Sequence, residues 1–154
     1  MNDNEPLAPE VAPKSRLDFA VVGVGASAGG IAALVRLFEG LPAEPNMAFV
    51  VVMHLSPAHD SSIAEVLQHA TRMKVLQVHA RTAIERDHVY VIPPGRDLAM
   101  FDGSLALQKL SRTWGAQVAI DVFFRSLADA HGDRAVGIVL SGPGTDGCVG
   151  ISRL

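Results

Sequence analysis

The sequence predicts a doubly wound α/β fold, in which a mostly parallel sheet carries helices on both faces. Three apolar, valine-rich runs have the composition of buried parallel strands, at 18–24, 48–53 and 135–141. Segments with apolar residues at helical spacing accompany these runs, at about 31–41, 62–71 and 120–131. Strands that alternate with helices are joined by right-handed crossovers, so we expect the carboxyl ends of the strands at one edge of the sheet.

The first two helices have recognisable limits in the sequence. Gly40 lies where the first apolar periodicity fades, and it is followed by a proline at position 42, which predicts the end of that helix. Ser62 and Glu65 have the spacing of a capping box, in which each side chain bonds the other residue's backbone amide. This pair predicts that the second helix begins at residue 62.

Shorter elements complete the predicted fold. Apolar residues at 75–78 and 89–92 predict two short strands. Alternating residues around an Asp-Gly pair predict a small β-hairpin insertion at about 97–110. Ile120, Phe124, Leu127 and His131 lie on one face of the last predicted helix.

Length and composition limit the class of protein. The 154 residues suffice for one domain, which we expect over 18–154, after a flexible leader over 1–17. The 13 Lys and Arg residues against 16 Asp and Glu residues give no basic footprint for nucleic acid. No apolar run is long enough to cross a bilayer, and the single cysteine, Cys148, suits a reducing compartment. We therefore expect a cytoplasmic protein.

The first strand leads into the segment VGVGASAGG, which matches two different motifs. Gly23, Gly25 and Ala28 fit the dinucleotide-binding fingerprint G-x-G-x-x-G/A. Gly25, Ser27 and Gly29 fit the nucleophile elbow G-x-S-x-G of serine hydrolases. A dinucleotide site needs a carboxylate at the end of the second strand, where this sequence has none. The pattern favours a hydrolase and leaves nucleotide binding as the weaker alternative.

Chemically active residues follow the three strongest strands. Ser27 follows the first, His54 follows the second, and Asp146 lies in the Gly-rich loop after the third. Because these strand ends share one edge, His54 can take the proton of the Ser27 hydroxyl, and Asp146 can orient the imidazole. The N-terminus of the helix after Ser27 offers backbone amides and a positive dipole end to a developing oxyanion, and the first candidate amide is that of Ala28.

Each of these residues also has a structural alternative. Ser27 can cap the following helix, His54 can be a hydrogen-bonded structural residue, and Asp146 can cap a helix or shape a turn. His54, His59 and Asp60 lack the spacing of a metal site on a helix, so we predict no bound metal. The catalytic interpretation therefore depends on the convergence of three strand ends rather than on one residue.

Five ordered blocks of the sequence resemble the catalytic domain of the CheB family of chemotaxis protein-glutamate methylesterases, in the form fused to CheR-type methyltransferases. They run from about residue 18 to the last residue and read VVGVGASAGGIAAL, FVVVMHLSP, HVYVIPPGRDL, IDVFFRSLA and GIVLSGPGTDG. In that family a serine, a histidine and an aspartate in these blocks form a catalytic triad. The resemblance assigns those roles to Ser27, His54 and Asp146.

The resemblance implies hydrolysis of γ-glutamyl methyl esters on the cytoplasmic helices of methylated chemoreceptors, with release of methanol. In some members it also implies deamidation of receptor glutamines. It implies no cofactor, no nucleic acid and no insertion into a membrane, and it suggests a CheR-type methyltransferase as a fused or associated partner. The alternative is a catalytically inactive signalling or binding module of the same fold.

The sequence departs from the family in several places. Residues 1–17 are too short to form the receiver domain that precedes many members. Gly142 and Gly144 remain candidates for the oxyanion loop, but Pro143 between them has no N–H to donate. Met53 stands where many relatives have glutamine, so we expect a polar group beside the base to be absent. We also expect the C-terminal part of the fold to be missing from this chain.

Overall fold

The structure, a computed structural model, describes residues 15–53, 62–110, 112–113, 116–117, 119–140, 151–152 and 154. Its helices are α1 (Ile31–Glu39), α2 (Ile63–Ala70) and α3 (Ala119–His131), with 3₁₀ turns at Ala28–Gly30 and Gly132–Arg134. Its strands are β1 (Ala20–Ala26), β2 (Met47–Met53), β3 (Lys74–Gln77), β4 (Thr82–Ala83), β5 (His88–Val91), β6 (Arg96–Phe101), β7 (Ser104–Lys109), β8 (Arg112–Thr113), β9 (Ala116–Gln117) and β10 (Ala135–Leu140).

A five-stranded parallel sheet forms the centre of the molecule. The strand order is β10-β1-β2-β5-β3, so the three strands that were predicted from apolar runs lie side by side. Every residue of β1 from Val21 to Ala26 is buried, and so is every residue of β2 from Ala48 to Met53. The near-continuous valine composition follows from this burial, because both faces of these strands are covered by protein. The predicted parallel sheet is confirmed.

The two faces of the sheet are covered by different helices. On one face, Leu34 and Phe38 of α1 and Leu67 of α2 pack against the even-numbered residues of β1. On the other face, α3 packs against the odd-numbered residues of the same strand and contributes Ile120, Phe123, Phe124, Leu127 and Ala130. Each set of side chains forms its own apolar cluster, so the sheet separates two cores. The predicted cover on both faces is confirmed.

The predicted hairpin is formed by β6 and β7, which pair antiparallel around Asp102 and Gly103. Both turn residues have positive φ, 44° and 76°, as a two-residue type I′ turn requires. The short strand β4 adds to the other edge of β7, and it was not predicted. Ser126 of α3 accepts a hydrogen bond of 2.9 Å from the Met100 amide, which fastens β6 to the helix.

The predicted capping box before α2 does not form. Ser62 is the N-cap residue of α2, but its side chain makes no capping hydrogen bond. Its ψ of 4° lies far from the extended value that brings a capping hydroxyl to the amides of the first turn. The helix α2 was therefore predicted correctly, whereas the predicted capping box at its N-terminus was wrong.

The end of the predicted leader is in contact with the domain. The Ser15 amide donates to the Ala130 carbonyl of α3, and Arg134 donates to the Leu17 carbonyl at 2.8 Å. The Leu17 side chain packs against the apolar cluster under α3. Residues 15–17 therefore belong with the packed chain, and the rest of the predicted leader lies outside the described residues.

Candidate active site

Three strands end level with one another at the edge of the sheet where the sequence predicts the site. Ala26, the last residue of β1, is in register with Met53 of β2 on one side and with Leu140 of β10 on the other. Each of these partners is the last residue of its own strand. Adjacent strands lie about 4.8 Å apart, so three chain segments leave the sheet from one short row. Ser27 begins the first of these segments.

Ser27 has an ordinary extended backbone, with φ of −84° and ψ of 170°. The chain turns after it, in the 3₁₀ turn Ala28–Gly30, where the Gly30 amide donates to the Ser27 carbonyl at 2.8 Å. The helix α1 begins only at Ile31. The amides that follow Ser27 therefore belong to this turn, and the prediction that they form the N-terminus of the helix was wrong. The serine is therefore presented by an unstrained strand end and a compact turn.

The side chain of Ser27 is half-buried, and within the described residues it makes no capping hydrogen bond to the turn that follows. The alternative prediction, that Ser27 serves as a helix cap, is not supported by this geometry. Gly29 leaves room beside the hydroxyl, because a Cβ atom there would lie 3.9 Å from Ser27 Oγ. A substituent at residue 29 would stand next to the oxygen that is predicted to react.

Gly23 and Gly25 allow α3 to approach β1 closely. A Cβ atom on Gly25 would lie 2.6 Å from Cγ2 of Ile120, and one on Gly23 would lie 2.8 Å from Cε1 of Phe124. Real Cβ atoms essentially never make contacts below 3.0 Å, so these positions take glycine for packing. Both residues also lie within the ladder of β1, whereas a dinucleotide fingerprint places its glycines in the turn after the strand. The fingerprint is therefore coincidental, which argues against nucleotide binding.

The first turn of α3 lies near the same edge of the sheet, a feature that the sequence analysis missed. Ile120, the second residue of α3, contacts Gly25 two residues before Ser27. The next residue, Asp121, is a buried carboxylate, 8% exposed. The spacing of apolar residues predicted the buried face of α3 but carried no information on which strand end that helix would reach.

Met53, the last residue of β2, belongs to the apolar core. Its side chain is 2% exposed and packs in the apolar cluster on the α1 and α2 face of the sheet. Ile120, by contrast, contacts the strand end from the opposite face. The methionine at this position therefore contributes to the core on the side of the sheet away from α3.

Several predicted site residues lie outside the described residues, namely His54, Gly142, Pro143, Gly144 and Asp146. The backbone of Ala28 is described, as the first residue of the 3₁₀ turn. Among the described residues, no group of three His, Cys, Asp or Glu side chains could hold a metal ion. In the same part of the chain, no helix is long and apolar enough to span a bilayer.

Residues 22–154 match the family described as CheB methylesterase. The chain belongs to this family. The match covers most of the chain and confirms the resemblance that the five sequence blocks indicated.

Curated relatives of the CheB family carry the name protein-glutamate methylesterase/protein-glutamine glutaminase. The protein of that name from Symbiobacterium thermophilum is 31% identical over 140 residues, which is 90% of this chain and 39% of the relative. The first such protein of Myxococcus xanthus is 36% identical over 134 residues, with 84% and 39% covered. The chain thus spans about two fifths of the length of these relatives.

A solved CheB structure has the same fold. The CheB methylesterase catalytic domain of Thermotoga maritima superposes with a TM-score of 0.80 at 23% sequence identity. The match covers 89% of this chain and 75% of that domain. The mostly parallel sheet with its helices is therefore the CheB catalytic fold.

Proposed function

We propose that this chain supplies a serine esterase centre of the protein-glutamate methylesterase type. The observation that carries the proposal is the row Met53, Ala26 and Leu140, at which three parallel strands end in register. Ser27 and His54 are the next residues along two of these strands, and the Gly-rich loop with Asp146 follows the third. The proposal also has the support of the family match and of the names of the relatives.

In the proposed mechanism the Ser27 hydroxyl attacks the carbonyl carbon of a γ-glutamyl methyl ester. His54 accepts the hydroxyl proton as Oγ bonds to carbon, and the Asp146 carboxylate holds the imidazole and stabilises its charged form. Collapse of the tetrahedral intermediate breaks the bond to methoxide, which leaves as methanol with the proton from His54. Water, deprotonated by His54, then attacks the acyl-enzyme, which releases the glutamate and restores the Ser27 hydroxyl.

The developing oxyanion needs donors at the edge of the sheet. The Ala28 amide is the first candidate, because it follows the nucleophile directly in the 3₁₀ turn. Gly142 and Gly144 can add amides from the Gly-rich loop, whereas Pro143 has none to give. The loss of one oxyanion donor costs about 10²- to 10³-fold in rate, so we expect this chain to be slower than relatives without the proline.

The proposed substrates are methylated glutamates on the cytoplasmic helices of chemoreceptors, with receptor glutamines as a second substrate. The proposal requires no cofactor, since Ser27 and His54 account for every proton transfer and Asp146 orients the base. It implies that the protein acts in the cytoplasm, and it leaves a CheR-type methyltransferase as the expected fused or associated partner.

The proposal is tested by labelling the purified 154-residue chain with a fluorophosphonate probe, which reacts with an activated serine whatever the natural ester. We expect labelling of the wild-type chain and none of Ser27→Ala or of heat-denatured protein. Methanol release from methylated receptor, abolished in the same variant, then identifies the substrate. A folded wild-type chain that takes up no label would contradict the proposal and favour the inactive signalling or binding module.

A further inference from the structure

We propose that Ile120 is a positioning residue for Ser27 and acts on it through Gly25. The inference rests on the proposed role of Ser27 as the nucleophile. Ile120 is 4% exposed, and three of its carbon atoms face Gly25. The position of a Cβ atom on Gly25 lies 2.6 Å from Cγ2, 3.0 Å from Cδ1 and 3.2 Å from Cγ1 of Ile120.

The contact falls on the backbone itself, because Gly25 has no side chain to absorb a displacement. Two neighbouring strands hold Gly25 in the plane of the sheet, where it is in register with Val52 and Val139. Ile120 limits movement of Gly25 out of that plane, toward α3. Isoleucine is suited to this role, since its branched Cβ confines the side chain to one strongly preferred rotamer in a helix.

Little chain separates this contact from the predicted nucleophile. Ala26 alone stands between Gly25 and Ser27, and all three have extended backbone. A shift of the backbone at Gly25 is therefore carried to the Ser27 hydroxyl with little attenuation. Since reacting atoms must be held at a near-attack distance, a displacement of about 1 Å can cost about 10²-fold in rate.

The same helix offers a matched control. Leu127 is fully buried, belongs to the same apolar cluster as Ile120, and contacts β1 at Gly23, four residues before Ser27. Truncation of either side chain opens a cavity under the same strand. A general loss of packing would affect both variants alike, whereas positioning through Gly25 would affect the Ile120 variant alone.

The test measures fluorophosphonate labelling of the full chain as a function of probe concentration, which separates the limiting rate constant from the half-saturating concentration. We expect Ile120→Ala to lower the limiting rate constant 10- to 100-fold and to leave the half-saturating concentration within about twofold. Ile120→Val, which keeps Cγ1 and Cγ2, should recover most of the rate. Leu127→Ala should label as the wild type does, at a temperature where circular dichroism shows every variant folded.

Hydrogen exchange gives a second readout that does not need the probe. Ile120→Ala should speed exchange of the amides at 26–28, and Leu127→Ala should not. If an alanine variant fails to fold, Ile120→Leu and Leu127→Ile carry the same comparison, because they keep the volume and move the branch point. Equal limiting rate constants in the Ile120 and Leu127 variants would overturn the positioning role and leave the esterase proposal standing. A wild-type chain without label would overturn both.

Discussion

The ring of Phe124 lies against the backbone of Gly23, with Cε1 2.8 Å from the place that a Cβ atom on residue 23 would occupy. Cε1 of Phe123 and Cδ2 of Leu127 close on the same point from 3.1 and 3.2 Å. Gly23 is therefore packed closely against three side chains of α3, which come from a distant part of the sequence. A methyl group at this position has no space to enter without movement of α3 or of the strand.

Gly23→Ala should destabilise the fold by about 1–3 kcal/mol, the usual cost of an extra methyl group in a well-packed core. The control is Gly40→Ala at the end of α1, where φ is −81° and the nearest atoms are backbone oxygens at 3.6 Å. That substitution should be neutral or stabilising. Urea unfolding of the wild type and of both variants measures these changes in stability. Equal midpoints for the two variants would contradict the packing role of Gly23.

Acid should weaken the fold through His131. The His131 side chain is 6% exposed, and its Nε2 donates to the Phe19 carbonyl at 2.8 Å. Among the described residues, its Nδ1 is buried without a hydrogen-bond partner. Burial lowers the pKa of His131 below its ordinary value, the bond to Phe19 opposes this shift, and the charge of Arg134 adds to it. The folded state therefore favours the neutral form of His131.

The sign of the pH dependence follows from linkage. The unfolded chain binds the proton more readily, so this contribution to stability is complete above the unfolded pKa of about 6.5 and falls away as the pH drops below it. His131→Gln keeps a side-chain amide that can donate to Phe19 and cannot titrate. We expect the free energy of unfolding to fall less between pH 7.5 and 5.5 in this variant than in the wild type. If the free energy of unfolding depends on pH identically in the two proteins, His131 is excluded as a source of that dependence.

Tyr90→Phe should destabilise the fold although it removes a single oxygen atom. The hydroxyl accepts a bond of 2.8 Å from the Glu85 amide and donates one of 3.2 Å to the Ala83 carbonyl. Tyr90 is fully buried, so loss of its hydroxyl leaves the two backbone groups without this partner. We expect the free energy of unfolding to fall by about 1–3 kcal/mol. Thr82→Val, which deletes an exposed hydroxyl bonded to Ala80, serves as the control and should change stability by less than about 0.5 kcal/mol.

Gly103→Ala should cost about 1–2 kcal/mol by forcing a side chain into the left-handed region. Residue 103 has φ of 76°, and its nearest neighbour, Cγ of Leu17, would lie 3.4 Å from the new Cβ, so conformation rather than collision sets the cost. Asp102→Asn should be nearly neutral, since asparagine also tolerates positive φ. Thermal melts that rank the two variants in the reverse order would show that the turn does not limit stability here.

The hairpin and the buried face of α3 show what the sequence could predict. The Asp-Gly pair specified its turn because glycine adopts positive φ without steric cost and aspartate tolerates it better than most residues. The spacing of Ile120, Phe124, Leu127 and His131 specified an inward face because a helix repeats every 3.6 residues. In both cases the information is local, and all four residues that share the predicted helical face are buried in the structure, His131 included.

The role of the glycines shows what the sequence could not predict. Gly25 fitted both motifs and Gly23 fitted one of them, but both glycines are required by packing against a helix that lies about a hundred residues further along the chain. The capping box at Ser62 failed for a similar reason, since a cap depends on the backbone angle and not on residue type alone. The predicted triad partners His54 and Asp146 lie outside the described residues, so those assignments stay predictions.

The contact between Gly25 and Ile120 also limits which substitutions this sequence can accept during evolution. The two positions share one fixed volume, so a larger residue at 25 is compatible with the fold only when residue 120 becomes smaller at the same time. A larger residue at position 25 alone overpacks the core, and a smaller residue at position 120 alone leaves a cavity. Glycine at this position should therefore persist even in descendants that have lost catalysis, whereas Ser27 would be free to vary in them. A retained glycine at position 25 therefore indicates that the packing is retained, whereas a retained serine at position 27 indicates that catalysis is retained.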